Sequence, residues 1–481
     1  MKKSLKKTTL IGFFWTLIDF FSSKGLTLIF QIALARLLTP EEFGLIGLIL
    51  IFIAISNALV NSGMQSALIR EPDIKDIHYS TVFFFNITIS ILIYILLFLS
   101  APYISEFYDQ PSLVSLIRVL GLVVLINSLS IIQRTMLIRN LNFKVESIIN
   151  LSSNLLSGSI ALLLAYMEFG VWSLILQIIL NNLFQSILLI VLNKWTPKLN
   201  FDFAIFKYLF NFGWKLLLSG LINTFYQNFY NIFIGKFYNI NMVGYYTQGK
   251  LLADVSSQII TTALQKVTYP VLSKIQNDDI ILKQNYRILI KLSSFITFPI
   301  IIILIVSSNS FIILLLGEKW MSAIPFFQII CFAGIFYPIH VINLNLLQVK
   351  GRSDLVLKLE IVKLLVNTSL IILFLSFTSN IYILISTFVI SSFLALFINA
   401  HYSGKFLNYG FLSQAKDVYK YLINAILTGV TLYITLLYCE ELHEAYKMII
   451  LFVTGLISYI IYSKITKVDK EVFELSRKFL A

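Results

Sequence analysis

Charged residues are scarce in this chain. Asp, Glu, Lys and Arg make up 13% of its 481 residues and hydrophobic residues 58%, whereas a soluble domain has about 25% charged and about 45–50% apolar residues. A soluble fold could not bury that much apolar surface, and the mean hydropathy of +0.85 indicates a membrane protein. Apolar runs such as "ILIYILLFLSAPYI" do not alternate with polar residues, so they predict transmembrane helices rather than the strands of a β-barrel.

Residues that hold metals or carry covalent chemistry are also few. The two cysteines, Cys331 and Cys439, and four scattered histidines form no disulfide framework and no metal-ligand spacing such as H-E-x-x-H. The segment "GYYTQGK" formally matches a P-loop, but Leu251 follows where Ser or Thr would bind magnesium, and no strand precedes it. No G-x-S-x-G nucleophile elbow is present. The sequence therefore predicts no catalytic residue, no metal and no other cofactor.

Negative charge is the scarcer sign, with 24 acidic against 37 basic residues and a net charge of +13. The cations lie in short segments between apolar runs, which is how membrane proteins fix their orientation, so we expect no nucleic-acid partner. If the N-terminus is cytoplasmic, the outer connections carry only Arg36, Lys236, Lys319 and Lys447. This bias predicts that both termini are cytoplasmic.

The N-terminal segment "MKKSLKKTTLIGFFWTLIDFF" begins like a secretory signal, basic and then apolar. Asp19 and Lys24 interrupt the apolar region, and the cleavage-like triplet Ala33-Leu34-Ala35 lies too far downstream. We interpret the segment as an uncleaved first helix.

Apolar windows of about 20 residues predict an all-α polytopic protein with about fourteen transmembrane helices. The eighth is the most polar and is included because the charge bias of the later loops requires a crossing there. The predicted helices begin near Leu10, Glu42, Tyr79, Ser112, Val145, Val171, Lys207, Met242, Arg287, Ile324, Val356, Ile381, Val418 and Tyr446.

One type of turn occurs twice. "ARLLTPEEFG" places Ala35, Arg36 and Gly44 as "GKFYNINMVG" places Gly235, Lys236 and Gly244, 200 residues later (244 − 44). Both turns fall on the predicted outer side, so helix seven repeats helix one in the same orientation, and such parallel repeats enclose a substrate path in transporters. The alternative is that such turns recur by chance. The repeat predicts an N-terminal lobe over 1–200, a C-terminal lobe over 201–405, and two additional helices with a cytoplasmic tail over 406–481.

Polar groups inside the predicted spans are the best candidates for function, because an ionisable group in hydrocarbon is costly and faces a water-filled path or a partner. Most of these charges are cations, which suits an anionic substrate such as a pyrophosphate. The candidates for substrate binding are Lys24, Arg118, Lys215, Lys250, Asn223 and Gln227, and those for ion coupling are Asp19 and Asp254.

Several candidates also have a structural alternative. Lys215 lies close enough to an interface to snorkel. Lys250 and Asp254, four residues apart, could pair on one helix face. Asn223 and Gln227 could hydrogen-bond neighbouring helices instead of lining a path for sugar hydroxyls.

Several segments resemble one family of transporters. "LARLLTPEEFGLIGL", "SGMQSALIREPDI", "SAPYISEFYDQPSL", "IGKFYNINMVGYYTQGKLL", "YPVLSKIQNDD" and "NLNLLQVKGRSDLVLKLEI" are similar to segments of the Wzx-type lipopolysaccharide and exopolysaccharide flippases. These form the polysaccharide-transport branch of the multidrug/oligosaccharidyl-lipid/polysaccharide superfamily. The resemblance runs from about residue 5 to about residue 365, while the last two helices match only in general character.

The resemblance implies two six-helix lobes around a central cavity, in the inner membrane of a bacterium that makes lipopolysaccharide or capsule. The implied activity is transfer of an undecaprenyl-pyrophosphate-linked oligosaccharide to the periplasmic leaflet by alternating access. Implied partners are that lipid-linked substrate, the bilayer, and polymerases or other glycan-assembly proteins. Relatives often carry an acidic-basic pair within helix one, whereas here Phe20 follows Asp19 and the nearest cation is Lys24.

Three other functions are compatible with the sequence. One is a scaffold in an envelope-assembly complex, for which mutating Asp19, Lys24 and Arg118 would change nothing. A multidrug exporter of the same superfamily often moves cationic substrates, which the excess of cations inside the spans disfavours. An O-antigen polymerase or ligase would need an acid or base presented to a sugar, usually on a substantial external loop, and the external loops here are short.

Overall fold

The computed structural model describes residues 22–468, with every side chain in that range except those of residues 257–267, 269–271, 274 and 353. Asp19 therefore lies outside the described residues. Within the described range the chain is helical and contains no β-strand. The all-α polytopic fold predicted from the sequence is confirmed.

The helices follow one another with short connections. In chain order they are α1 over 22–37, α2 Pro40–Asn61, α3 Met64–Arg70, α4 Asp76–Phe107, α5 Leu113–Leu120, α6 Leu122–Arg139, α7 Phe143–Tyr166, α8 Val171–Asn193, α9 Phe203–Phe237, α10 Ile240–Lys274, α11 Asp279–Val306, α12 Ser308–Leu316, a 3-10 turn Glu318–Ala323, α13 Ile324–Gly334, α14 Tyr337–Val349, α15 Ser353–Phe377, α16 Ile381–Leu407, α17 Phe411–Tyr438 and α18 Glu444–Ile465.

Among the described residues, 11 helical segments are long and apolar enough to cross a membrane. Neither α9 nor α10 is among them, although each has 35 residues and so spans about 52 Å at about 1.5 Å per residue. Their polar residues, rather than their length, separate them from the other spans. The count of fourteen spans stays a prediction.

The chain divides into two compact units, Met1–Gly244 and Tyr245–Ala481. In the first unit, α9 packs against α2, α3 and α4, and α8 packs against α6 and α7. In the second unit, α11 packs against α14, α17 and α18, and α16 packs against α13, α14 and α15. The predicted lobe boundaries stay a prediction. Helix α9 follows the predicted boundary at residue 200 in the sequence, but it packs against helices that precede that residue.

The two similar turns have the same local structure. The helix before the first turn ends at 37 and the helix before the second ends at 237, and the next helices begin at Pro40 and Ile240. Thr39 caps α2, since its Oγ1 accepts a hydrogen bond from the Glu42 amide and the Glu42 carboxylate accepts one from the Thr39 amide. The Asn239 side chain accepts a hydrogen bond from the Met242 amide in the same way.

The two turns also contact each other. A Cβ atom on Gly44 would lie 2.2 Å from the carbonyl oxygen of Ile240, and one on Gly244 would lie 1.9 Å from the carbonyl oxygen of Pro40. Each glycine thus meets the backbone four residues before the other glycine. Only glycine allows this approach, which places the first turn of α10 against the first turn of α2.

Candidate functional site

A second close backbone contact joins α3 to α9. Ser62 and Gly63 both have left-handed backbone conformations, with φ of 46° and 69°, so α2 ends and α3 leaves in a new direction. A Cβ on Gly63 would lie 2.2 Å from the carbonyl oxygen of Gly213, and a Cβ on Gly213 would lie 2.7 Å from the carbonyl oxygen of Ser62. The two backbones therefore touch, and the N-terminus of α3 lies beside the first half of α9.

The far end of α3 is held by Arg139 of α6. Its guanidinium donates hydrogen bonds to the carbonyl oxygens of Leu68 at 2.8 Å, Ile69 at 3.2 Å and Pro72 at 3.1 Å. The Leu68 and Ile69 carbonyls are among the groups that a helix leaves unpaired at its C-terminus, so one cation satisfies them. The bond to Pro72 fixes the chain beyond the helix. Met64 and Leu68 are buried in the same cluster as Tyr79, Val82, Ile132 and Leu209.

Together these contacts define a groove between α3 and α9 with a volume of about 510 Å³. We call it the α3–α9 groove. It is lined by Ala67, Arg70, Glu71, Pro72, Tyr208, Leu209, Asn211, Phe212 and Lys215.

The charges of the α3–α9 groove come from both walls. Arg70, from α3, stacks its guanidinium on the Phe212 ring, 4.7 Å from the centroid. Lys215, from α9, is exposed. Glu71 is the single carboxylate among the lining residues, and Tyr208 and Asn211 add a hydroxyl and an amide. The groove thus presents two cations, one anion and neutral hydrogen-bonding groups.

A run of exposed polar side chains continues from Lys215 along α9. Ser219, Asn223 and Gln227 follow at intervals of four residues, and all four side chains are exposed. Each interval turns the helix by about 40° beyond a full rotation, so the run winds gradually around α9. Such groups are not placed against lipid tails without cost, so we expect this surface to line water.

The run ends where α9 meets α2. Asn231, the next residue at this spacing, is buried, and its Nδ2 atom donates to the carbonyl oxygen of Gly47 at 3.4 Å. Beyond it, the Lys236 ammonium donates to the carbonyl oxygen of Phe107 at 2.7 Å and lies 3.9 Å from the Asp109 carboxylate. The polar run therefore extends from the α3–α9 groove to the buried segment of α9.

The structure brings three of the predicted site residues together, Lys215, Asn223 and Gln227. Lys24, on α1, is exposed and makes no ion pair with any described residue. Arg118, on α5, is held by α4, because its guanidinium lies 4.2 Å from the Phe98 ring centroid and its Nε atom donates to the Phe98 carbonyl oxygen at 3.4 Å.

Lys250 and Asp254 lie in the second unit and form an ion pair on one face of α10. This is the pairing that their four-residue spacing allows. The roles of all these residues in binding or ion coupling stay predictions. Among the described residues, no group of three or more His, Cys, Asp and Glu side chains could hold a metal ion.

Sequence reasoning missed Arg70, because it lies at the end of a span where cations usually only fix orientation. It also missed Arg134, which lies within α6 and donates from Nη2 to the Gln185 Oε1 atom at 2.6 Å. The Gln185 amide donates to Asn181 at 2.8 Å, and Asn181 donates to Asn154 at 2.6 Å. Arg134 could have been found in the sequence as a cation within an apolar span, because the neighbouring spans carry several Asn and Gln side chains.

Comparisons with known proteins give the family. The "Teichuronic acid biosynthesis protein TuaB" of Bacillus subtilis (strain 168) is 28% identical over 354 residues, 73% of this chain and 73% of that protein. The "Lipopolysaccharide biosynthesis protein WzxC" of Escherichia coli (strain K12) is 26% identical over 362 residues, 75% of this chain and 74% of that protein. A structure described as "Lipid II flippase MurJ, inward closed conformation" superposes with a TM-score of 0.77 at 17% identity, covering 95% of this chain and 99% of that one.

The last likeness shows that this chain shares the MurJ fold. The resemblance to Wzx-type proteins predicted from the sequence is confirmed by these relatives and by the family that matches residues 33–325, described as "Polysaccharide biosynthesis protein". That match covers more than half of the 481 residues. The chain is therefore a multi-pass membrane protein that belongs to the polysaccharide biosynthesis protein family.

Proposed function

We propose that this protein is a flippase that moves an undecaprenyl-pyrophosphate-linked oligosaccharide from the cytoplasmic to the periplasmic leaflet of the bacterial inner membrane. The observation that carries the proposal is the run of exposed polar side chains on α9, from Lys215 to Gln227. Polar and ionisable groups within a membrane-spanning helix normally face a water-filled path or a partner. Amide and hydroxyl groups suit sugar hydroxyls, and cations suit a pyrophosphate.

The distribution of cations supports this direction. The α3–α4, α6–α7 and α8–α9 connections lie at the same end of the first unit. Arg139 contacts Pro72, and Lys198 pairs with Asp76, so these contacts join the three connections. They carry Arg70, Lys75, Arg139, Lys144, Lys194 and Lys198, whereas the opposite end carries Arg36 and Lys236 beside Glu106, Asp109 and Glu168. By the positive-inside rule this distribution supports a cytoplasmic position for the α3–α9 groove. We propose that both termini lie on the same side.

The proposed mechanism is alternating access, in which the protein moves a substrate without changing its bonds. Cations accompany the pyrophosphate, neutral polar groups accompany the sugars, and the lipid tail stays in the bilayer. One charge crossing 100 mV changes the free energy by about 2.3 kcal/mol, so outward movement of an anion from a negative cytoplasm is favoured by the membrane potential. Ion coupling at Asp19 or Asp254 would add to this drive.

The test is transport by purified protein in liposomes. A labelled undecaprenyl-pyrophosphate oligosaccharide is placed in the leaflet that matches the cytoplasmic side, and its accessibility to an external glycan-modifying enzyme is followed under a set membrane potential. We expect the native protein to expose the glycan, Lys215→Ala to reduce the rate at least tenfold, and Asn223→Ala with Gln227→Ala to reduce it severalfold. Lys198→Ala, which removes an exposed cation paired with Asp76 outside the polar run, should transport normally.

The products distinguish this proposal from its alternatives. A glycan that stays in place and grows longer would indicate a polymerase or ligase. Export of a cationic dye together with no movement of the glycan would indicate a multidrug exporter. A Lys215→Ala rate equal to that of the native protein would remove the α9 run from the mechanism.

A further inference from the structure

We propose that the α3–α9 groove is a capture site for the glycosyl-diphosphate end of the substrate, occupied before the substrate enters the path along α9. This inference rests on the proposed function. It assigns the groove a ligand of defined chemistry, a diphosphate that carries a sugar, and it gives roles to Arg70 and Glu71.

The groove is a fixed site. The backbone contact of Gly63 with Gly213 sets the distance between its walls at one end. The hydrogen bonds from Arg139 to the α3 carbonyls and to Pro72 fix the other end. A ligand that binds there meets two walls whose backbone is already positioned, so little binding free energy is lost to ordering the backbone.

Arg70 and Lys215 offer two different cations to one ligand. The Arg70 guanidinium is oriented by stacking on Phe212 at 4.7 Å, which leaves its planar edge free to bind two phosphate oxygens at once. Lys215 supplies a compact charge from the opposite wall. Two cations on facing walls match a ligand with two linked phosphates better than a ligand with one phosphate.

Glu71 makes the groove selective for a glycosylated diphosphate. A carboxylate beside the two cations repels a bare diphosphate, whose terminal phosphate carries additional negative charge. The same carboxylate accepts hydrogen bonds from sugar hydroxyls, and Asn211 and Tyr208 add neutral partners along α9. The volume of about 510 Å³ falls within the range of about 300–1,000 Å³ typical of small-molecule sites, so we expect the first sugar and the diphosphate inside and the remaining sugars outside.

Lys215 belongs to both the groove and the α9 run. It lines the groove with Arg70, and it is the first member of the run that continues through Ser219 and Asn223. A diphosphate captured by Arg70 and Lys215 is therefore already in contact with the beginning of the proposed path. Transfer requires release from Arg70 while Lys215 stays engaged.

The test measures binding separately from transport. Full-length protein in nanodiscs is titrated with farnesyl-diphospho-N-acetylglucosamine, its monophosphate analogue and bare farnesyl diphosphate, and dissociation constants are measured by thermophoresis. We expect the native protein to prefer the glycosyl diphosphate. Arg70→Ala and Lys215→Ala should each raise its Kd at least tenfold, and Glu71→Gln should tighten binding of bare farnesyl diphosphate and so reduce the preference.

Matched variants keep the outcome interpretable. Arg70→Lys and Lys215→Arg retain the charge and should keep part of the affinity, which separates a lost contact from a misfolded protein. Arg352→Ala removes an exposed, paired cation in the second unit and should leave all three constants unchanged. Arg70→Ala and Lys215→Ala constants within twofold of the native value, or no saturable binding by the native protein, would overturn the capture site.

The transport assay separates the two proposals. If the native protein transports the glycan but Arg70→Ala binds the probe normally, only the capture site fails. If the native protein does not transport it, the proposed function fails, whatever the groove binds.

Discussion

At the scale of single residues, Asp417 on α17 accepts hydrogen bonds from three side chains, two on α11 and one in the connection before α17. The Arg287 guanidinium and the Lys291 ammonium, at 3.2 Å, reach it from α11, and the Tyr409 hydroxyl reaches it at 2.6 Å. Burial and the neighbouring carboxylate raise the pKa of Tyr409 well above its ordinary value, so its hydroxyl donates at neutral pH. The Asp417 side chain is 8% exposed and that of Lys291 is 9% exposed, so this pair joins α17 to α11 away from water, while Arg287 is 52% exposed.

We predict that Asp417→Asn strongly destabilises the protein. The change removes the negative charge that the buried Lys291 ammonium faces, and removing one partner of a buried ion pair costs about 3–5 kcal/mol in comparable proteins. The measurement is the thermal unfolding midpoint in detergent, followed by size-exclusion chromatography. Asp354→Asn is the matched control, because the Asp354 and Arg352 side chains are 62% and 44% exposed and ion pairs in water contribute little to stability. Equal midpoints for the two variants would contradict the prediction.

The candidate site was only partly predictable from single residues. Lys215, Asn223 and Gln227 could be found because polar side chains inside an apolar span are costly wherever they face lipid. Arg70 could not, since its position at a span end is normal for a cation, and its role depends on the tertiary contact with Phe212. Arg118 was predicted as a binding residue, but its guanidinium stacks on Phe98 of α4. That contact depends on which helix packs beside α5, which the sequence does not reveal.

At the scale of helices, glycine decides how closely two elements approach. The order of the helices and most of their starts follow from hydropathy, and the turn after 37 was predicted to repeat after 237. The contact between the two turns was not predictable, because it joins residues that are far apart in the sequence. The break between α2 and α3 was missed for a different reason: the apolar run continues through Ser62 and Gly63.

We predict that Gly244→Ala prevents the normal packing of α10 on α2. The added Cβ would lie 1.9 Å from the Pro40 carbonyl oxygen, and a backbone atom cannot move aside as a side chain can. We expect a loss of about 3 kcal/mol in unfolding free energy, measured as a lower unfolding midpoint and a lower yield of monodisperse protein.

Gly220→Ala is the control for this change. Gly220 lies within α9, and a Cβ there would meet nothing within 4 Å, so alanine should be neutral or stabilise the helix by up to about 1 kcal/mol. A normal midpoint for Gly244→Ala would mean that the close contact is not required for folding.

At the scale of the whole molecule, the repeat predicted from the sequence has a testable consequence for topology. Glu41 and Asn241 follow the two similar turns and are both exposed, whereas Asn277 is exposed in the connection between α10 and α11. Both natural cysteines are buried, so single cysteines can be introduced after Cys331→Ser and Cys439→Ser with little background.

We expect Glu41→Cys and Asn241→Cys to react with a membrane-impermeant maleimide in intact cells, and Asn277→Cys to react only after permeabilisation. This follows from the excess of cations at the opposite end of the first unit. Labelling at 277 alone in intact cells would show that the protein has the opposite orientation in the membrane. Labelling at 41 but not at 241 would contradict a parallel repeat.

The reciprocal contact of Gly44 and Gly244 also bears on the origin of the chain. Gly44 meets Ile240 as Gly244 meets Pro40, and a contact in which each side uses the same positions is isologous, as between two identical subunits related by a twofold axis. An ancestral chain with one such turn could have made this contact with its own copy. In such an ancestor one substitution would alter both sides at once, whereas in a single chain each turn can change alone. Accordingly Thr39-Pro40-Glu41-Glu42 and Asn239-Ile240-Asn241-Met242 differ, while both turns keep their glycine.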